Sequence, residues 1–413
     1  MSSKNKGKFK ETEIGMIPED WEIRPLTELI SHVVDNRGKS APTSEQGVFL
    51  IATNCIKETG LYPTKEKIRH VSQKTYETWF RGHPKPGDII IVNKGTPGLV
   101  CLVPDPVDFC IAQDMVAIRP NEFQVYGKYL FAAMRSNTFK SQVDSLNVGT
   151  TIPHLKKTYF PQLLIPIPSK EEQVLIGDTY YFLSEKVENN NQMNATLEKI
   201  GQALFKHWFI DFEFPNEKGK PYKSSGGEMA DSELGEIPKE WEVKNLGEII
   251  ELGYGKGLRE NRRKNGVYPV VGSSGIVGFH DEYLVQGPGI VIGRKGTIGE
   301  VIWVNSNFFP IDTTFYVASK IGKVDLYYFY YLLLTQDFPR IGSDSAVPGL
   351  NRNFAYMNLI PAPPVDLINK FNHICKSLFE MMALKKEEIS VLGRVRDSLL
   401  PRLMSGQIRV PVG

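Results

Sequence analysis

The chain has 413 residues, 41% hydrophobic and 23% charged, which is an ordinary composition for folded protein of two or three domains. Its formal net charge is only +2, so affinity for nucleic acid would have to come from local clusters of Lys and Arg. The four scattered cysteines lack metal or disulfide spacing and no run of about 18 apolar residues occurs, so we expect a cytoplasmic protein without metal or membrane contact.

The first recognisable element is a segment that occurs twice. Residues 13–30, EIGMIPEDWEIRPLTELI, align without gaps on residues 233–250, ELGEIPKEWEVKNLGEII, at an offset of 233 − 13 = 220. Nine of the eighteen positions are identical, among them Pro18/Pro238 and Trp21/Trp241. A match of this length indicates that the chain is one unit repeated, and it constrains every later assignment.

A second repeated element is the pentapeptide KGTPG at 94–98 and KGTIG at 295–299, each between two apolar runs. This pattern predicts a β-hairpin in each copy. Lys94, Thr96, Arg294, Lys295 and Thr297 would then lie at the tips. They could contact phosphates, or the tips could simply be turns that the fold requires.

Each copy ends in a long helical segment. Ser169 and Glu172 form a capping-box pattern at the start of the first helix, and Asp366 can cap the second. Steps of four and three residues give an apolar seam in each helix, and a constant offset of 195 carries one seam onto the other. The first seam contains Ile176, Leu183, Val187, Leu197 and Leu204, and the second contains Phe371, Leu378, Met382, Ile389, Leu392 and Leu399.

The matched phase of these seams favours a pair of helices packed on each other, as in a coiled coil. The alternative is that each helix lies separately on its own domain. An antiparallel pair is expected, because a parallel one would require the linker to span about 60 Å, close to its fully extended limit of about 70 Å. The polar midpoints, with Asn190 at a seam position, could fix the register or could form a solvated waist.

We therefore predict an α+β protein with an internal pseudo-twofold duplication: two mixed α/β domains separated by two long antiparallel helices. The boundaries are residues 1–167 for the first domain, 168–210 for the first helix, 211–232 for a linker, 233–363 for the second domain, and 364–413 for the second helix and C-terminal tail.

Local basic clusters are the clearest sign of a binding function. The second copy has such a cluster in a glycine-flanked loop, with Lys256, Arg259, Arg262, Arg263 and Lys264. The corresponding stretch of the first copy has Arg37 and Lys39 in a differently charged loop. Contact with DNA phosphates and bases is one interpretation, and a solvated charged surface is the other. Arginine is the better base reader, because its fork pairs with guanine.

Motifs for catalysis are largely missing from the sequence. There is no complete phosphate-binding loop, no aromatic-proline tetrad for base methylation and no metal-binding histidine spacing. We therefore expect no catalytic residues and no cofactor bound by this chain. A stand-alone DNA-modifying or DNA-cleaving enzyme with an unrecognised site, or a coiled-coil adaptor without a DNA role, are the alternatives.

The order and duplication of these motifs resemble the specificity subunits of type I restriction-modification systems. The resemblance covers nearly the whole chain and includes TIPHLKKTYFPQLLIPIPSKEEQ at 151–173 and FKHWFIDFEFPNEKGKPYKSSGGEMADSELG at 205–235. It implies two target-recognition domains and double-stranded DNA as a partner. It also implies two methyltransferase subunits docked on the helices and translocating restriction subunits, with S-adenosylmethionine, ATP and Mg on those partners.

Because the two copies agree in framework segments and differ in their basic loops, each should read a different short sequence. This predicts an asymmetric, bipartite target with an unread spacer. Half-site centres about one helical turn apart, ~34 Å, would let both domains use the same face of the DNA.

Overall fold

The structure of the chain is a computed structural model that describes residues 8–36, 38–147, 152–341 and 349–409. The chain forms two compact units. Unit 1 comprises residues 1–192 together with 387–413, and unit 2 comprises residues 193–386. Unit 2 is thus continuous in sequence, whereas unit 1 is assembled from both ends of the chain.

Unit 1 contains eleven strands and three short helices among the described residues. The strands are β1 Phe9–Thr12, β2 Gly15–Pro18, β3 Glu22–Pro25, β4 Ile30–Val34, β5 Val48–Ile51, β6 Arg69–Val71, β7 Ile89–Val92, β8 Val100–Leu102, β9 Phe109–Ile111, β10 Met115–Pro120 and β11 Leu164–Ile167. The helices are α1 Gln73–Thr78, α2 Gly127–Met134 and α3 Asn137–Ser145, and the long helix α4 Lys170–Phe205 begins here.

The central sheet of unit 1 has the strand order β4-β10-β7-β8, with every pairing antiparallel. Strand β7 is a run of four consecutive apolar residues, all buried, as expected where both faces of a strand are covered. A second sheet has the order β6-β5-β9, in which β5 and β9 are parallel. Helix α2 contributes Tyr129 and Phe131, both fully buried, to the main core of the unit.

Unit 2 also has eleven strands among the described residues, with a different set of short helices, and it includes the first part of the second long helix. The strands are β12 Met229–Ser232, β13 Gly235–Pro238, β14 Glu242–Asn245, β15 Ile250–Tyr254, β16 Tyr268–Gly272, β17 Gly275–His280, β18 Gly289–Gly293, β19 Val301–Val304, β20 Phe309–Pro310, β21 Thr314–Ser319 and β22 Leu359–Ala362. The helices are α5 Leu246–Ile249, α6 Tyr327–Leu334, α7 Phe338–Ile341, α8 Arg352–Tyr356 and α9 Val365–Met404.

The topology of unit 2 confirms the predicted duplication. Its central sheet, β15-β21-β18-β19, matches that of unit 1 strand for strand, and its second sheet, β17-β16-β20, again has one parallel pair. The register is also repeated: Glu22 lies opposite Ile167 in unit 1, and Glu242 opposite Ala362 in unit 2. The segment that the sequence assigns to the linker ends in strand β12, which pairs with β13.

The long helices begin close to the predicted positions. At α4 the capping box is formed: the Glu172 N–H donates to Ser169 Oγ at 3.3 Å, and the Ser169 N–H donates to Glu172 Oε2 at 3.4 Å. The predicted cap of the second helix is wrong, because α9 begins at Val365 and places Asp366 inside its first turn. There the carboxylate still faces the positive end of the helix dipole.

The seam residues are placed on the covered faces of both helices. None of the eleven predicted side chains is exposed, and each is either buried or half-buried. The buried members are Ile176, Leu197, Phe371 and Met382, and the half-buried members are Leu183, Val187, Leu204, Leu378, Ile389, Leu392 and Leu399.

Contacts within unit 1 show that the helices run in opposite directions. Arg396 of α9 lies over the Tyr180 ring of α4, with 5.8 Å between Cζ and the ring centroid. Further along α4, Lys186 Nζ is 3.6 Å from Glu388 Oε1. From the first contact to the second, the residue number rises from 180 to 186 in α4 and falls from 396 to 388 in α9. The two helices are therefore antiparallel, as predicted.

Unit 2 contains the other half of the same pairing. Phe205 and Trp208, at and just after the end of α4, lie 6.0 and 5.8 Å from the ring of Phe371 near the start of α9. In unit 1, Asn190 at the polar midpoint is only 1% exposed, and its Nδ2 has no hydrogen-bond partner. A solvated waist is therefore wrong at this position.

No helix in the described part of the chain is long and apolar enough to span a membrane. All four cysteines are buried free thiols.

Candidate nucleic-acid interface

A network of backbone hydrogen bonds supports the first predicted hairpin tip, residues 94–98 of unit 1. The Asn93 N–H donates to the Asp114 carbonyl at 2.9 Å, and the Leu155 N–H donates to the Asn93 carbonyl at 2.8 Å. The Gly98 N–H closes the turn by donating to the Val92 carbonyl at 2.9 Å. Three separate stretches of chain are thus joined at the base of the tip.

Unit 2 has the same network around its tip, residues 295–299. The Arg294 N–H donates to the Thr313 carbonyl at 2.8 Å, and the Leu350 N–H donates to the Arg294 carbonyl at 2.9 Å. The Gly299 N–H donates to the Gly293 carbonyl at 2.8 Å. Position by position, Arg294 therefore occupies the place of Asn93.

The tips present polar and cationic side chains to solvent. Lys94 and Thr96 are exposed in unit 1, and so are Lys295 and Thr297 in unit 2. Gly98 has φ +84°, and a Cβ there would lie 2.9 Å from Val143 Cγ1. The turn conformation therefore requires these glycines. It does not determine which side chains stand at the exposed positions between them.

Beside the second tip lies a group of three side chains, here called the Tyr254 cluster: Tyr254, Arg294 and Arg352. The guanidinium carbons of Arg294 and Arg352 lie 5.1 and 4.9 Å from the centroid of the Tyr254 ring. Tyr254 itself is 48% exposed. Cations at this distance from an aromatic face are attracted by its quadrupole, so the ring holds both guanidinium groups at the surface.

The two arginines of the cluster differ in their charge environment. Arg352 Nη1 is 3.7 Å from Glu251 Oε1, and a hydrogen bond from Lys320, with a smaller contribution from Arg352, lowers the pKa of Glu251. Arg294 Nη1 donates only to a backbone carbonyl, that of Asp312, at 3.1 Å. No carboxylate of the described residues pairs with Arg294.

The basic loop of unit 2 is divided by the fold. Lys256 joins the edge that carries the tip, since its N–H donates to the Pro310 carbonyl at 3.0 Å and its side chain is exposed. Arg259 and Arg262 are exposed at a short 3-10 turn, Glu260–Arg262. Arg263 instead packs on β17, where Nη1 donates to the Val277 carbonyl at 2.6 Å.

Lys264 is also partly engaged, because its Nζ is 3.5 Å from Asp281 Oδ2. The backbones of Lys256, Arg294 and Lys295 thus all bond to the segment 310–313, and Arg259 and Arg262 are exposed on the neighbouring loop. Arg263 and Lys264 have contacts that hold the loop to strand β17, in addition to any contact with DNA.

The corresponding loop of unit 1 contains a basic and an acidic residue among those described. Lys39 is exposed, whereas Arg37 lies outside the described residues. Asp35 forms an ion pair with Lys157, which neutralises one charge of the Lys-Lys pair at 156–157. Within the described residues no group of three His, Cys, Asp or Glu side chains is arranged to hold a metal ion.

Sequence reasoning missed Tyr254 and Arg352. The two residues are 98 positions apart and meet only because β15 and the start of α8 lie side by side in the fold. One signal was present: at the offset of 195, Arg352 aligns with Lys157, so both copies have a cation at this point.

The model of the type I restriction modification DNA specificity domain matches the chain twice, at residues 18–199 and 238–354. The two matches begin at Pro18 and Pro238, which are equivalent positions of the duplication. Together they cover most of the chain.

The chain belongs to the type I restriction-modification DNA specificity family.

Similar members of the family include two specificity subunits. The type I restriction enzyme MjaIX specificity subunit of Methanocaldococcus jannaschii is 28% identical over 97% of this chain and 96% of its own length. The type I restriction enzyme HindI specificity subunit of Haemophilus influenzae is 24% identical over 78% of this chain and 87% of its own length. Both are matched over most of their length, so the chain is comparable in extent to other specificity subunits.

Among solved structures, the S subunit of a type I restriction-modification system from M. genitalium has the same fold. It matches 93% of this chain and 96% of its own chain, with a TM-score of 0.60 and 20% sequence identity. This likeness confirms the fold class predicted from the sequence, two recognition domains of mixed α and β structure combined with long helices.

Proposed function

We propose that the chain is the non-catalytic subunit that selects the DNA sequence for a type I restriction-modification complex. One observation carries the proposal: two units share a backbone frame but present different side chains from it. Asn93 and Arg294 occupy the same place in the two frames, and only Arg294 reaches the surface. A protein that reads two unlike sequences on one scaffold needs this combination.

The target is an asymmetric, bipartite DNA sequence, with one short half-site for each unit and an unread spacer between them. Exposed cations at the tips, Lys94 and Lys295, supply sequence-independent contacts with phosphates. Specificity comes from side chains that reach base edges in the major groove. Half-site centres about one helical turn apart, ~34 Å, allow both to be read from one face of the duplex.

Two methyltransferase subunits dock on the long helices, and restriction subunits join this assembly. The support is a set of exposed apolar side chains on helix faces turned away from the paired seams. In unit 1 these are Val174, Leu175, Phe182, Val391 and Val395, and in unit 2 they are Met193, Ile200, Ile374, Met381 and Leu384. Exposed apolar side chains are the material of which interfaces with other proteins are built.

Catalysis belongs to those partners, which bind S-adenosylmethionine, ATP and Mg. The complex would act in the cytoplasm. Support from this chain is the chemistry of its surface: the exposed polar residues at the two tips are Lys and Thr, which bind phosphates but do not activate a water or a methyl acceptor at neutral pH without a neighbouring base.

The test is to express the chain with the methyltransferase subunits of its host and to map methylated sites in the DNA of a recipient strain. We expect a single bipartite motif, and expect duplex binding by the purified complex that weakens steeply with salt. Methyl transfer or DNA cleavage by the purified chain alone would contradict the proposal. Failure of the complex to bind any duplex would favour an adaptor without a DNA role.

A further inference from the structure

The position shared by Asn93 and Arg294 has opposite surroundings in the two units. Asn93 is buried, and its Nδ2 donates to the Leu155 carbonyl at 3.1 Å, so its amide is used inside unit 1. Arg294 is half-buried, and its guanidinium lies against the exposed ring of Tyr254. At the same backbone position, unit 1 therefore has a buried amide, that of Asn93, and unit 2 has a guanidinium at the surface, that of Arg294.

We propose that Arg294 recognises a guanine in the half-site read by unit 2, with Tyr254 and Arg352 as positioning residues. The inference rests on the proposed DNA-reading function and adds the residue and the base.

Arg294 is held before DNA arrives. Its Nη1 donates to the Asp312 carbonyl at 3.1 Å, and its Cζ lies 5.1 Å from the centroid of Tyr254 and 5.8 Å from that of Phe315. A guanidinium has five N–H donors in a planar fork, so one bond to a carbonyl leaves a second edge open. Fixing the side chain in advance reduces the rotamer entropy lost on binding.

The open edge of a guanidinium matches one base better than the others. Guanine presents O6 and N7 as two adjacent acceptors in the major groove, and arginine donates to both at once. Adenine presents one acceptor and one donor there, and an arginine has no acceptor to offer that donor. A guanine is therefore the base that this side chain selects.

Arg352 lies against the same ring as Arg294 but differs from it in charge compensation. Both guanidinium groups lie within about 5 Å of one ring, as the distances of 5.1 and 4.9 Å show, and like charges repel. Glu251 compensates Arg352 at 3.7 Å, while no carboxylate of the described residues compensates Arg294. Of the two, Arg294 directly follows β18 and leads into the exposed tip.

The experiment uses the chain assembled with its methyltransferase subunits and compares Arg294→Gln with Lys295→Gln. Each change removes one positive charge, at adjacent positions. We expect Arg294→Gln to lose between about 5-fold and 150-fold of the preference for guanine at one position of one half-site, the range for one bidentate pair. We expect Lys295→Gln to weaken binding to all sequences equally and to leave every preference unchanged.

Replacing that guanine by 7-deazaguanine removes the N7 acceptor and tests the contact directly. The wild-type complex should bind the modified duplex more weakly, while Arg294→Gln should bind both duplexes equally, so the two changes should not add. Arg294→Lys keeps the charge and can still donate to O6 and N7, so it should retain more of the guanine preference than Arg294→Gln does.

Several results would overturn the inference. Arg294→Gln could keep every base preference, or relax a position that is not guanine, or respond to 7-deazaguanine as strongly as the wild type does. A uniform loss of affinity like that of Lys295→Gln would assign Arg294 to a phosphate instead. Thermal unfolding and assembly with the methyltransferase subunits confirm that each variant is folded. If the wild-type complex recognises no specific sequence, the proposed function fails, which is a separate result.

Discussion

Arg409 donates hydrogen bonds to both carboxylate oxygens of Asp20, at 2.9 and 2.7 Å, across 389 residues of sequence. The same guanidinium donates through Nε to Glu172 Oε1 at 2.8 Å, and the Glu172 side chain is only 3% exposed. One residue near the C-terminus thus joins the turn between β2 and β3 to the first turn of helix α4.

Replacing Arg409 with Ala should destabilise unit 1 by about 1–3 kcal/mol, because the buried Glu172 carboxylate loses a charged partner. Chemical denaturation of the full chain measures this cost. The matched control is Arg402→Ala, since Arg402 is an exposed arginine on α9. An Arg409 variant as stable as the Arg402 variant would mean that the two ion pairs of Arg409 add nothing to stability.

The effect of Arg409 should depend on pH. A hydrogen bond from Arg409 is the main reason that the pKa of Asp20 is lowered from its usual value. A lowered carboxyl pKa stabilises the fold above the ordinary pKa range, and this stabilisation disappears as the pH falls through the folded-state value. The stability difference between wild type and Arg409→Ala should therefore shrink on acidification below about pH 4. A difference that grows there would contradict this account.

Two glycines in the long helices should respond to alanine in opposite ways. A Cβ at Gly201 would lie 1.9 Å from Tyr331 Oη, whereas a Cβ at Gly393 would meet nothing within 4 Å. Gly201→Ala should cost about 1–3 kcal/mol of unfolding free energy through overpacking. Gly393→Ala should add up to about 1 kcal/mol, because alanine favours helix over glycine. Stabilisation by both substitutions would mean that Tyr331 does not approach α4 as described.

The exposed lysines at the two tips should contribute to affinity without contributing to specificity. Removing the charge with Lys94→Gln or Lys295→Gln should weaken duplex binding and reduce the slope of log affinity against log salt by about 1 for each phosphate that is no longer neutralised. Binding titrations at several salt concentrations measure the slope. Lys323→Gln, at an exposed lysine in a loop before α6, serves as the control. An unchanged slope in both tip variants would remove the tips from the DNA interface.

Inserting four residues after Gln192 in α4 alone should alter the recognised target. The insertion shifts the rest of α4 by about 6 Å along the helix axis. The pairing of Tyr180 with Arg396 in unit 1 and that of Phe205 with Phe371 in unit 2 cannot then both keep their register. Methylation mapping should show a changed spacer length or no modification. An unchanged target in a folded variant would contradict the idea that paired helices set the spacing.

The elements governed by periodicity were predictable from the sequence. The seams of α4 and α9 follow from the spacing of apolar side chains, and the duplicated hairpins follow from glycines that the turns require. The cap of α9 was not predictable to the residue, because Val365 already adopts helical geometry ahead of Asp366. Helix ends depend on neighbouring packing as well as on local capping chemistry.

The candidate DNA interface was only partly predictable. A run of basic residues indicated the loop at 256–264, but the sequence could not show that Arg263 is turned onto the Val277 carbonyl. Nor could it show that Arg352 shares a ring with Arg294, since loop residues that meet in space carry no periodic signal. The packing of α8 and of the loops on the sheets brings these positions together.

The division of unit 1 between the two ends of the chain has a consequence for synthesis on the ribosome. Its main core includes Leu400, Leu403 and Met404 packed with Ile176 and Tyr180, so this core cannot close until the final stretch has been translated. Unit 2 is continuous from residue 193 to 386, so its folding does not depend on the translation of later residues. The half of the protein that leaves the exit tunnel first therefore completes its core only after residues 400–404 have followed, and a chain that stops before Leu400 would lack these core side chains.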